Sequence, residues 1–294
     1  MIALTFLDLP NDIIYHILAQ LLSDAEDHIA LMKRAATVRR AHRIFDNITC
    51  PHLFKTVYIK RLERLHEFQS ILESNGKLAL YVRSLILNPM AHYDDRPREH
   101  RTVNGTVLSF LQNDSLPVIL PQLVRLQNFA YAPHFRGSAI SWARLSLPMS
   151  RALQNLSRLP YLNHLHLENI YGAPIVWISQ CKNLEKLTLS EFSWDPNISI
   201  VHASAQSKRP RIKDLEIDDP PRCPCDAAIR TFHAMGMFSA LQRLSIFLAG
   251  ENNIKLLLFL LKDCTETLTE LVITQNSTRL TKPADGVPLG SIDG

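Results

Sequence analysis

Glycine is scarce, 9 in 294 residues, and the chain has no Gly-rich loop that brings backbone N–H groups close to a phosphate. It also has no Gly-x-Ser-x-Gly elbow and no His-Glu-x-x-His pair, so acyl transfer and zinc-dependent hydrolysis lack their usual sequence supports. Cysteine numbers only 5, an odd set scattered over a long chain, which fits reduced thiols rather than a disulfide framework. Cys223-Pro224-Cys225, with His233 downstream, is the one suggestive metal spacing. Without a second close pair it reads better as a Pro-rich loop. The net charge of +4 gives no electrostatic case for nucleic acid. The longest purely apolar run, residues 256–261, falls far short of the ~18 residues of a spanning helix. The N-terminus has no basic segment ahead of an apolar one. The expectation is a soluble, non-enzymatic protein of the cytoplasm or nucleus, with no cofactor, no metal, no membrane and no nucleic-acid partner.

What is present is apolar patterning, with 46% hydrophobic residues, ample for a sizeable core. Ile13, Ile14, Ile17, Leu18, Leu21 and Leu22 fall on one face of a helix that tolerates Pro10 in its first turn. After the polar break at 23–27, a second helical segment carries Ile29, Leu31, Met32, Ala35 and Val38. A third carries Ala41, Ile44, Phe45 and Ile48. The outward basic residues Lys33, Arg34, Arg39, Arg40 and Arg43 read as a solvated face, because no aromatic residues interleave them for base stacking. Residues 1–50 thus form an expected three-helix module.

From Pro51 onward a different pattern recurs. Apolar residues at relative positions 1, 4 and 6 appear eight times, centred on Val57, Leu85, Phe129, Leu165, Leu187, Leu215, Leu244 and Leu271. Five of the seven steps between these centres lie within the ~20–29 residues of a leucine-rich repeat. The two longer steps place insertions at 91–104 and 132–148. Candidate helices between the strands are 62–73, 107–112, 150–158, 174–180, 227–235 and 253–262. A strand plus a helix per unit predicts an α/β fold: a curved leucine-rich-repeat solenoid over 51–280, with a flexible tail at 281–294. Cys181 and Cys264, each just ahead of a strand, are expected to pack as small buried hydrophobes.

With that context, the N-terminal residues carry a resemblance. Leu9-Pro10-x-Asp12-Ile13-x-x-x-Ile17-Leu18, then 31–38, Arg39-Arg40-x-x-Arg43-Ile44-Phe45 and Pro51-His52-Leu53-Phe54 are similar to the F-box proteins with leucine-rich repeats, especially the divergent fungal-type ones. The resemblance implies the substrate receptor of an SCF-type ubiquitin ligase. Its F-box, through Leu9, Pro10, Asp12, Ile13, Ile17, Leu18 and Val38, would dock on the Skp adaptor and so reach the cullin scaffold, while the repeats hold a target protein. Catalysis would lie elsewhere in the assembly, the receptor raising effective concentration. The runner-up is a repeat scaffold with no ligase role.

Side chains alternate along a strand, so the residues flanking the two apolar positions line the solenoid's inner face. The middle column reads Tyr58, Ile86, Ala130, His166, Thr188, Glu216, Ser245 and Val272. Candidate target-binding residues on this concave face are His164, His166, Glu168, Asp214, Glu216, Asp218 and Arg243. Asp214, Glu216 and Asp218 form an acidic patch suited to a basic segment of a target.

Overall fold

A computed structural model describes residues 46–89, 110–133, 140–194, 209–218, 225–248 and 251–275. The strand-forming motif is borne out as strands. They are β1 (Thr56–Ile59), β2 (Ser84–Leu87), β3 (Asn128–Tyr131), β5 (His164–Glu168), β7 (Lys186–Ser190), β8 (Asp214–Asp218), β9 (Arg243–Leu248) and β10 (Glu270–Gln275). All eight join one sheet in the order β1-β2-β3-β5-β7-β8-β9-β10, every pair parallel. A second sheet holds only β4 (Ile140–Ser141) and β6 (Ile170–Tyr171), also parallel. Asn169 takes a left-handed φ of 58° between β5 and β6. That conformation is tolerated by Asn, and its carbonyl accepts from Ile140 N at 2.8 Å.

Helices supply the crossovers that parallel strands need. α1 (Asp46–Leu53) precedes β1, and α2 (Leu62–Ser74), α3 (Ser115–Ile119), α4 (Leu147–Leu156), α5 (Ile175–Ser179), α6 (Cys225–Ala234) and α7 (Glu251–Cys264) follow along the chain. α1 runs through Pro51, the position at which the sequence pattern changes. The side chain of Ser146 caps α4 by accepting from Met149 N at 3.3 Å, and Pro148 sits where a missing N–H costs nothing.

The expected fold of an N-terminal three-helix F-box followed by a leucine-rich-repeat solenoid is corrected by this architecture. The molecule is an α/β fold built on one central eight-stranded parallel sheet. A solenoid requires a whole unit to recur, whereas here the strands recur and the helical connections between them differ in length and content. They range from five-residue helices (α3, α5) to the fourteen-residue α7; the first connection adds a 3-10 turn (Gly76–Leu80) after α2, and two successive ones carry β4 and β6, which pair with each other. Apart from α1, the three-helix module of 1–50 lies outside the described residues, as do the insertion at 91–104, residues 134–139 of the insertion at 132–148, residues 107–109 of the candidate helix at 107–112, and the tail at 281–294. No helix among the described residues is long and apolar enough to cross a membrane.

The core lies between the sheet and the helices. Leu85, Leu87, Phe129, Leu165, Leu167, Leu187, Leu189, Leu215, Ile217, Leu244 and Ile246 from the strands are all at most 1% exposed. Leu65, Phe68 and Leu72 of α2, Met149, Leu153 and Leu156 of α4, and Leu256 and Leu260 of α7 meet them at helical spacing. The other face of the sheet is not covered in the same way. Its side chains between β5 and β9 range from buried, at Thr188 and Ser190 of β7, through half-buried to exposed, at Asp218 and Arg243.

Candidate functional site

Parallel sheets are ordinarily buried on both faces, so a half-exposed face on an eight-stranded parallel sheet marks a surface. Strand register sets its side chains in three rows. The first runs Ser84, Asn128, His164, Lys186, Asp214, Arg243 and Glu270; the second runs Tyr58, Ile86, Ala130, His166, Thr188, Glu216, Ser245 and Val272. The third joins Glu168, Ser190 and Asp218. The second row matches the column anticipated from the sequence residue for residue.

Charge on this face is organised by Lys186, whose place on the face follows from alternation while its ion pairs do not. Its ammonium lies 3.2 Å from Asp214 and 4.0 Å from Glu216. Thr188 Oγ1 donates to Glu216 Oε2 at 3.2 Å. Along the first row Lys186, Asp214, Arg243 and Glu270 alternate in sign, and Arg243 Nε sits 3.4 Å from Glu270. The anticipated acidic patch is therefore partly neutralised from within. Asp218, exposed and with no ion pair or hydrogen bond among the described residues, and the far side of Glu216 are what remain for an incoming cation. His164, His166 and Glu168 come within two strands of the acidic residues, ~10 Å away.

The two imidazoles are held neutral. Burial, then Lys186 and His166, lower the His164 pKa to about 4 from 6.5, with Asp214 opposing. His166 is lowered by burial too, with Glu216 and Asp218 pulling it up and Lys186 pushing it down. His164 Nε2, Asn128 Oδ1 and Ser84 Oγ, neighbours in one row, are inaccessible and unpartnered among the described residues. Burial also drives the Tyr131 hydroxyl pKa upward, assisted by Glu168.

Two predictions follow from this electrostatic arrangement. An unfolded chain protonates His164 near 6.5 whereas the folded chain resists until about 4. The folded chain therefore keeps its full stability above the unfolded value and loses stability as pH falls through that window. His164→Asn lessens the drop in urea midpoint between pH about 7.5 and about 5; an unchanged drop contradicts the assignment. Lys186→Met raises both imidazole pKa values, as read by NMR titration of the ring protons, because the same ammonium depresses both.

Elsewhere the chemistry is quiet. Cys181 is buried, donates to Trp177 O at 3.6 Å and has its thiol pushed up to about 12 by burial, far from a reactive thiolate. Cys264 is buried likewise. Cys223 and Pro224 lie outside the described residues, and His233 packs its ring against Phe259 at 4.7 Å. Among the described residues no group of three His, Cys, Asp or Glu is placed to hold a metal. No family model matches the chain, and no curated protein matches it.

The chemistry of the face is that of charged side chains fixed on rigid strands. Of the expected target-binding residues, the sheet brings His164, His166 and Glu168 of β5, Asp214, Glu216 and Asp218 of β8, and Arg243 of β9 onto one face. Lys186, Thr188 and Ser190, which sit between the two groups, were not among them. The expected adaptor-binding residues Leu9, Pro10, Asp12, Ile13, Ile17, Leu18 and Val38 all lie outside the described residues.

Proposed function

We propose that this chain is a non-catalytic recognition subunit that captures a target protein on the open face of its sheet and presents it to a ubiquitin ligase of the SCF type. One observation carries the first half of this reading: an eight-stranded parallel sheet leaves one face half-exposed and lines it with charge. The occupant that suits it is an extended basic segment of the target. Glu216 and Asp218 offer carboxylates at the edge of the charged cluster, and the strands beneath fix their positions. Docking of residues 9–38 on the Skp adaptor, and through it the cullin, rests on the sequence resemblance alone. This role places the chain in the cytoplasm or nucleus.

The test is affinity purification of the full chain with mass spectrometry of what accompanies it. Adaptor and cullin are expected, and Pro10→Asp with Ile17→Asp is expected to deplete them while the target stays. Absence of adaptor and cullin, or recovery indifferent to both substitutions, favours an interaction scaffold with no ligase role.

A further inference from the structure

We propose a second binding site, on the helical side of the molecule, for a small phosphate-bearing ligand. α4 buries Met149, Ala152, Leu153 and Leu156 in the core, which turns Arg151, Gln154 and Asn155 outward. Arg158 follows just past the helix end. With Trp177 of α5 and Gln180 beyond it, these residues line a cavity of about 550 Å³. That volume lies within the ~300–1,000 Å³ range of small-molecule sites.

The lining contains two guanidinium groups, three side-chain amides and no carboxylate. Neither Arg151 nor Arg158 makes an ion pair or a side-chain hydrogen bond among the described residues. By contrast, Arg64, Arg230 and Arg243 each hold a carboxylate. Two unpaired arginines on the same wall of a concavity leave positive charge without a partner. They stand seven residues apart, ~10 Å along the helix axis, close enough for both long side chains to converge on one group. A phosphate dianion satisfies two guanidinium forks at once, and Gln154, Asn155 and Gln180 add uncharged donors. Trp177, 2% exposed and tilted at 42° against Trp142 with ring centroids 4.9 Å apart, makes a rigid apolar back to the cleft, against which a planar body attached to that phosphate packs. This cleft shares no residue with the open face and does not depend on the role proposed for it.

The test uses the full chain with adenosine monophosphate, inorganic phosphate and adenosine as probes, followed by calorimetry and tryptophan fluorescence. Adenosine monophosphate is expected to bind and change the fluorescence, inorganic phosphate to bind more weakly, and adenosine not to bind. Arg151→Ala with Arg158→Ala weakens the first two roughly tenfold or more without moving the thermal midpoint, since both side chains are exposed. Trp177→Phe removes the fluorescence change but keeps the heat of binding. The proposal is overturned if neither phosphate probe binds at millimolar concentration. It is equally overturned if adenosine binds as tightly as its monophosphate, or if the double arginine variant binds as the parent does.

Discussion

Leu215→Ala destabilises the fold by about 2–5 kcal/mol, whereas Glu216→Ala, the next residue along the same strand, changes stability by about 1 kcal/mol or less. The two side chains leave β8 on opposite faces. Leu215 is fully buried between Leu187 and Leu244 of the flanking strands, so truncation removes apolar contact and opens a cavity in a packed layer. Glu216 is only half-buried and meets Lys186 at 4.0 Å and Thr188 at 3.2 Å. Interactions of this exposed kind contribute little net stability. Urea unfolding of the three proteins checks the contrast. The loss for Leu215→Ala is a large share of the 5–15 kcal/mol that holds an ordinary domain together. Equal losses for the two variants would mean that the open face is covered like the core.

Charge reversal on that face produces the second large effect, on recognition. Glu216→Lys with Asp218→Lys converts two negative charges into two positive ones within one row spacing and sets a new ammonium beside Lys186. Against a basic segment, with up to about 1 kcal/mol for each exposed charge contact made or broken, the expected loss of target affinity is about 2–4 kcal/mol, roughly 30- to 1,000-fold. The loss shrinks as salt rises, because exposed charges are screened. Asp226→Lys with Glu251→Lys is the matched control. It changes net charge equally at exposed helix positions paired to Arg230 and Lys255, and leaves capture unchanged.

Legibility in the sequence followed periodicity. Each strand showed itself through apolar residues at relative positions 1, 4 and 6, the last two of which fall on the same face because side chains alternate along a strand. Eight such windows therefore gave the strands, their register and the second row of the open face. Longer helices were visible as well: residues 62–73 correspond to α2 and 253–262 to α7, with ends displaced by one or two residues. α4 began earlier than its apolar spacing suggested, since Ser146 and Pro148 start it before the first strongly periodic residue.

Four features left no such trace. β4 and β6 are two residues each, too short for any period. The salt contacts of Lys186 depend on which strand lies beside which, and spacing along one strand does not encode that neighbour. The overall architecture was misread because regular strands suggested regular units, while the connections between them differ in length and structure. The cleft between α4 and α5 escaped for a related reason. Arg151 and Arg158 look like ordinary solvated helix residues until the short helix at 175–179 is set against them.

The central claim is that the open face of the sheet is where a target protein sits. A photo-crosslinking side chain at Ser245, half-buried in the same row as Glu216, is the most direct probe, with the same group at Leu258, exposed on α7, as the comparison. After affinity capture from cells and irradiation, Ser245→benzoylphenylalanine is predicted to become covalently joined to the target that Glu216→Lys with Asp218→Lys loses, and Leu258→benzoylphenylalanine is not. Crosslinking of that target from Leu258 and not from Ser245 would contradict the account.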